Sequence, residues 1–167
     1  MKEAIANAGV FNLIIIFVVI LIAFFVGSLG YSKAFKVKNR IIDEIEKDQC
    51  YYPDETNGNC AKVSMSETTQ DRIDKWLGSI GYRVNTDKYV SCPIIESDHV
   101  LNGGQAINKT GDYQYCIYKF NTCSGSRARC GTYYRVIAYM YFDVPIVGDL
   151  IRIPVVGETI TFTELNS

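Results

Sequence analysis

The sequence predicts an α+β protein: a long N-terminal helix, transmembrane at first and continuing into the domain, plus a second helix packed on a mostly antiparallel β-sheet. Three observations predict it. Residues 13–26 (LIIIFVVILIAFFV) are an unbroken apolar run, the stretch after them keeps apolar residues at helical spacing, and from Tyr82 onward the pattern turns to period two. The chain then divides into an N-terminal flank at 1–9, a transmembrane helix at 10–31, its continuation at 32–48 and a disulfide-containing domain at 49–167.

Counted from Val10 to Tyr31, and tolerating Asn12, Gly27, Ser28 and Gly30, the apolar stretch reaches the roughly 20 residues that a spanning helix needs. No charge interrupts it. Lys2 and the small residues Ser28 and Gly30 also suit a cleavable signal peptide. Against that, residues 31–47 (YSKAFKVKNRIIDEIEK) contain neither Gly nor Pro and place Ala34, Val37, Ile41 and Ile45 at helical spacing, with Phe35 and Ile42 alongside. The helix is therefore expected to leave the membrane without stopping. Val37, Ile41 and Ile45 are expected to bury against the sheet or a neighbouring helix, so that Ile41→Asp abolishes assembly and leaves insertion intact.

Two signals conflict over orientation. Only Lys2 precedes the span, whereas Lys33, Lys36, Lys38 and Arg40 follow it, which by the positive-inside rule sends the domain into the cytoplasm. The six cysteines, Cys50, Cys60, Cys92, Cys116, Cys123 and Cys130, point outward, because an even number in a domain of this size suggests disulfides, which persist outside the reducing cytosol. The expectation is a single-pass cell-membrane protein with its C-terminal domain extracytoplasmic. No Cys-x-x-Cys pair occurs and His99 is the lone histidine, so the cysteines do not read as a zinc site, and no metal or cofactor is expected. Six cysteines allow 15 connectivities. Local spacing suggests Cys123 with Cys130 around SGSRAR and Cys50 with Cys60 around YYPDETNGN, leaving Cys92 with Cys116.

With 21% charged residues and a formal net charge of −1, the chain has no clustered basic face for nucleic acid; Arg127 and Arg129 are too few. Its 12 tyrosines and 8 phenylalanines supply core and strand material. Residues 50–66 read as a polar loop. A second helix follows, capped by Ser66 or Thr68, with Ile73, Trp76, Leu77 and Ile80 at helical spacing and Gly78 and Gly81 as its stop. Around residues 101–111 lies a Gly/Asn-rich connection. Residues 113–120 (YQYCIYKF) and 132–144 (TYYRVIAYMYFDV) predict an antiparallel hairpin, the second strand placing Val136, Ala138, Met140, Phe142 and Val144 on one face. Pro145 and Gly148-Asp149 break the run, residues 150–156 resume it, and 159–163 (TITFT) alternate again.

The anchor continuing into YSKAFKVKNRIIDEIEK, and the C-terminal YMYFDVPIVGDLIRIPVVGETITF with its Pro-x-x-Gly break at Pro145 and Gly148, are similar to TadE-like and other pilin-like (pseudopilin) pilus-assembly proteins. In those, a long helix is a membrane anchor in its first half and packs its second half on an antiparallel sheet. The positions after Gly9 read VFNLIII, without the Glu that such prepilins carry there. What the resemblance implies is a Tad-like accessory or minor component whose partners are the lipid bilayer and other pilin-like subunits or assembly proteins.

Nothing in the sequence builds an active site, and no enzyme or small-molecule substrate is expected. Adjacent Ser97, Asp98 and His99 cannot form a relay and no G-x-S-x-G elbow is present, so a solvated turn is expected. Asp54, Glu55, Asn57 and Asn59 do not follow calcium-loop spacing, Gly103-Gly104 lacks a phosphate-loop context, and Asn108-Lys109-Thr110 matches a glycosylation sequon by chance. The expected function is structural, a membrane-anchored pilin-like component acting by subunit packing. The alternative is a tethered extracellular ligand-binding or sensor module that uses exposed tyrosines and the loops at 50–66 and 101–111.

Overall fold

The computed structural model describes residues 2–51, 67–82, 92–108, 115–122, 131–142 and 151–163. They form the expected α+β class, built as α1 (Lys2–Asp48), α2 (Thr69–Ser79), a short 3₁₀ turn (Leu101–Gly104) and four strands: β1 (Tyr115–Asn121), β2 (Gly131–Phe142), β3 (Ile151–Glu158) and β4 (Phe162–Thr163). The first helix is one piece. Its 47 residues extend about 70 Å at 1.5 Å each, and it takes in residues 2–9, which the sequence reading kept apart as a flank.

The sheet is antiparallel throughout. β2 is the central strand; β1 pairs with it from Tyr115↔Ala138 to Asn121↔Thr132, and β3 from Arg135↔Glu158 to Phe142↔Ile151. β4 takes up the remaining end of β2 through Gly131↔Thr163 and Thr132↔Phe162. The expected hairpin partners and the two C-terminal strands are thus in place, although only Phe162 and Thr163 of the alternating tail pair. Thr159 N–H still donates to Tyr134 O of β2 (2.9 Å), and the backbone leaves the ladder at Ile160, whose N–H donates to Glu46 Oε1 of α1 instead (2.9 Å).

Both faces of the sheet are covered. On one, Tyr115, Ile117, Tyr134, Val136 and Ala138 pack against Val37, Ile41 and Ile45 of α1 and Ile73 and Leu77 of α2. Val37, Ile41, Ile45, Ile73 and Leu77 all have 0% exposure, so the helical stripe read from the sequence is the spine of the chain's own core. On the other face Cys116, Tyr118, Phe120 and Ile137 lie under Cys92, Ile95, Val100 and Ala106. That second cover explains why β1 is buried at nearly every position instead of alternating. Residues 92–97 form no strand, contrary to the period-two reading. Pro93 offers no N–H to a ladder, and the segment is held by the Cys92–Cys116 disulfide, by Tyr118 Oη–H donating to Pro93 O (2.6 Å) and by Ile95 N–H donating to Gly104 O (3.0 Å).

Local chemistry sets the ends of α2. Thr68 Oγ1 accepts from Asp71 N–H and Asp71 Oδ2 accepts from Thr68 N–H, a reciprocal capping box. At the other end Tyr82 N–H donates to Leu77 O and Gly81 N–H to Gly78 O, with Gly81 at φ +58°. This is a Schellman motif, and its left-handed position favours glycine. Gly104 is also constrained: its φ is +78°, and a Cβ there would stand 2.0 Å from Ile95 O.

Two stability predictions follow from this packing. Ile41→Ala empties a site touched by both helices and the sheet and should cost about 3 kcal/mol. Gly104→Ala forces a left-handed residue against backbone and should cost about 2 kcal/mol. Denaturant melts of the full chain in detergent, followed by near-UV circular dichroism, check both; a loss under about 0.5 kcal/mol in either contradicts the packing described.

Candidate functional site

The unusual surface is the first half of α1. Fifteen large apolar side chains from Val10 to Val26 are between 43% and 77% exposed, and no residue of the apolar window is buried within the described chain. At about 1 kcal/mol for each such half-exposed side chain, the burial left unrealised is about 15 kcal/mol. That is as large as the whole stability of an ordinary domain, about 5–15 kcal/mol, so this surface calls for an apolar neighbour. The helix is long and apolar enough to cross a membrane.

Where α1 enters the domain its outward side changes character. Tyr31 and Phe35 stack with ring centroids 6.3 Å apart, and Lys38 Nζ lies 4.2 Å from the Phe35 centroid. Lys33 and Lys36 are exposed beside them, and Lys33 Nζ donates to Gly81 O at the end of α2 (2.9 Å). Aromatic rings flanked by lysines are the side chains that partition to a membrane–water boundary.

One turn higher, the two helices meet through charge. Glu44, 4% exposed, accepts from Lys47 Nζ (2.8 Å) and Arg72 Nε (3.2 Å) and pairs with Arg40 (2.6 Å). Arg72 also pairs with Asp48, whose carboxylate accepts from Thr69 Oγ1 (2.7 Å). Asp48 sits at the C-terminus of α1, where a negative charge is unfavourable by itself. Here it faces the N-terminal turn of α2, whose dipole offsets it. Burial alone would raise the Glu44 carboxyl, but the hydrogen bonds from Lys47 and Arg72 and the charges of Arg40 and Lys47 outweigh it and hold the group below its ordinary 4.5. Tyrosines extend the junction: Tyr51 Oη–H donates to Gln70 Oε1 (2.9 Å), Tyr115 Oη–H to Asp74 Oδ1 (3.0 Å), and Tyr82 Oη–H to Tyr139 O (2.8 Å). Burial, the first cause in each case, pushes the Tyr51 and Tyr115 phenols up, and Tyr82 up to about 12. All three phenols stay protonated and tie loops and helix ends to the sheet.

The sequence reading did not single out this junction. Its signal was present: Glu44 and Asp48 fall on the same helical stripe as Ile41 and Ile45, and acidic side chains on an apolar stripe need buried cationic partners. Only folding brings Arg72 there, from 28 residues away. Of the residues expected to pack, Val37, Ile41 and Ile45 all enter the chain's own core. Ile41→Asp would therefore bury a carboxylate inside the domain and disrupt its fold, so that variant does not isolate a contact between subunits.

The remaining motifs resolve individually. Ser97, Asp98 and His99 are exposed around a turn in which Val100 N–H donates to Ser97 O (3.1 Å), and His99 O accepts from Asn121 N–H (2.8 Å). Asn108 is buried, with Nδ2 donating to Tyr115 O (2.9 Å) and Oδ1 accepting from Ile117 N–H (2.9 Å). It closes the outer edge of β1 like a short strand, and its amide nitrogen faces the protein interior. Cys92 and Cys116 form the expected disulfide, with Cα atoms 5.7 Å apart. Cys50 is also disulfide-bonded, while Cys60, Cys123 and Cys130, and with them the other two expected pairings, lie outside the described residues. So do Asp54, Glu55, Asn57 and Asn59, Arg127 and Arg129, and most of the 50–66 loop that a ligand-binding reading requires. Among the described residues no group of three or more His, Cys, Asp or Glu side chains is placed to hold a metal ion. No protein-family model, curated protein or solved structure matches the chain.

The depressed Glu44 carboxyl makes stability depend on acid. Its contribution is complete above the unfolded value near 4.5 and is lost as pH falls through the lower folded value, because the unfolded chain then binds the proton first. The melting temperature of the full chain should fall on acidification below pH 4.5, and Glu44→Gln should flatten that fall. Arg72→Met, which strands Glu44 and Asp48 without their shared cation, should cost about 2 kcal/mol at neutral pH. Parallel melting curves for the three chains across pH 3–7 would contradict the coupling.

Proposed function

We propose that this chain is a membrane-anchored, extracytoplasmic structural protein, a minor pilin-like or pilus/secretion-assembly component of the TadE-like kind, acting by subunit packing. The single observation carrying the reading is the division of labour along α1. Its first half is nowhere buried within the described chain, and its second half, through Val37, Ile41 and Ile45, is the spine of an antiparallel-sheet domain. A protein built this way keeps a long apolar helix available to lipid or to helices like itself while presenting a rigid domain. The disulfide between Cys92 and Cys116, and that of Cys50, support placing the domain outside the reducing cytosol. The mechanism is packing, which accords with a polar junction whose carboxylates are committed to cations and whose buried phenols are committed to hydrogen bonds.

The reading is tested on intact cells in two steps. Membrane-impermeant maleimide should label the cysteines only after reduction, on a chain that still carries residues 13–26. Reduced thiols reached only after lysis would place the domain in the cytoplasm and overturn the proposal. A photo-crosslinking amino acid at Ile16 or Ile20 should then give protein–protein adducts with copies of the chain or with other small single-span proteins. Lipid adducts alone would remove assembly from the function and leave a tethered module.

A further inference from the structure

How close the domain lies to the bilayer can be measured along α1, because β3 runs beside it in the same direction. Val155 packs on Ala34, a Cβ on Gly157 would meet Lys38 and Ile42, and Ile160 N–H bonds to Glu46. Continuing β3 back from Val155 to its first residue, Ile151, covers about 13 Å at 3.3 Å per residue, equivalent to about nine residues of helix. The start of β3, and Phe142 paired with it, therefore lie abreast of Phe25. A second route agrees. Tyr139 is bonded to Tyr82, the neighbour of Gly81, which is bonded to Lys33, and the three further residues of β2 descend about 10 Å, to the level of Val26 or Gly27.

That level is inside the apolar run. The sheet therefore overlaps the outer turns of the segment that an anchor buries, and the domain has no stalk. The helix surface there fits a boundary: Tyr31 is 52% and Phe35 42% exposed, Lys38 covers Phe35, and Lys33 and Lys36 are exposed. Ile153, two residues into β3 from its lower end, is 40% exposed. Arg40, the next basic residue up, is already paired with Glu44.

We infer that the domain is seated directly on the membrane, with the Phe142/Ile151 end of the sheet at the lower edge of the membrane–water boundary and the Tyr31–Phe35–Lys38 column rising above it through the headgroup side, and that its partner there is an anionic lipid surface. The inference rests on the anchor proposed above. Continuity with the apolar span selects lipid as the occupant, and the lysines select anionic headgroups, since each basic side chain near such a surface adds attraction that decays over about 10 Å at ordinary salt.

Depth-dependent quenching of tryptophan tests it on the full chain in phosphatidylcholine vesicles with and without phosphatidylglycerol. Trp76, the native tryptophan, is replaced by Phe, and a single Trp is placed at Ile16, Ile153 or Ile160. Lipid brominated near the headgroup should quench Trp at 153 about twofold in anionic vesicles and leave Trp at 160 unaffected, while deep bromines quench Trp at 16. Quenching at 16 without quenching at 153 overturns the seating and leaves the anchor standing; no quenching at 16 overturns the anchor itself. Lys33→Gln with Lys36→Gln should reduce quenching at 153 by about half, and an effect equal in neutral vesicles overturns the anionic assignment. The unmodified chain supplies an independent readout that no substitution can disturb. Amine labelling of Lys33 and Lys36, read by mass spectrometry, should slow about threefold in anionic relative to neutral vesicles while Lys75 and Lys119 do not change. Equal rates at all four lysines would contradict the seating on anionic lipid.

Discussion

The structure depends on one helix satisfying two environments. In α1 the same backbone hydrogen-bonding pattern continues from Lys2 to Asp48, and only the side chains change. The first half is apolar on every side, as a segment surrounded by hydrocarbon requires. The second half confines its apolar residues to the stripe of Ala34, Val37, Ile41 and Ile45 and gives the rest to charge. Because no Gly or Pro falls between Tyr31 and Lys47, the two halves are mechanically one rod. Whatever orients the first half orients the domain.

The domain is a three-layer arrangement around β2. The helices lie on one face of the sheet and residues 92–108 on the other, so the sheet formed by the described strands buries both sides. The second cover is economical in regular structure. Its attachment relies on a disulfide, on Tyr118 bonding to Pro93, on Asn108 standing in for a strand along the edge of β1, and on Gly104 in a backbone conformation that tolerates no Cβ. Such ties are local and directional, and they suit a layer with little regular secondary structure.

Polar groups carry the contact between the helices. Glu44, Asp48 and Arg72 satisfy one another where the C-terminus of α1 meets the N-terminus of α2, and the tyrosines at 51, 82 and 115 extend the same function to chain segments and strands. A buried ion pair adds little net stability over an apolar contact of the same shape, but it penalises any arrangement in which one partner is left alone. At this junction it fixes the register of α2 on α1, which the apolar contacts of Ile73 and Leu77 would leave freer to slide.

The sequence by itself determined the elements whose physics is local. The unbroken apolar run, the 3.6-residue stripe at 34–45, the threonine cap and left-handed glycine of α2, and the alternation in β1 and β2 each express their structure within a few residues. The pairing of Cys92 with Cys116 was legible only as the remainder after two shorter loops were assigned. Tertiary structure decided what depends on residues distant in the chain. Residues 92–97 alternate like a strand yet serve as a lid, because Pro93 cannot join a ladder and Cys116, Tyr118 and Gly104 hold them elsewhere. Asn108 reads as a sequon and is an edge cap because β1 presents it with a free carbonyl and a free N–H. Val37, Ile41 and Ile45 were open to a neighbouring helix or to the sheet; the fold gives them to the chain's own core, since only there do three surfaces meet without water. Apolar periodicity states that a face must be buried; which surface buries it is set by long-range contacts that no local pattern encodes.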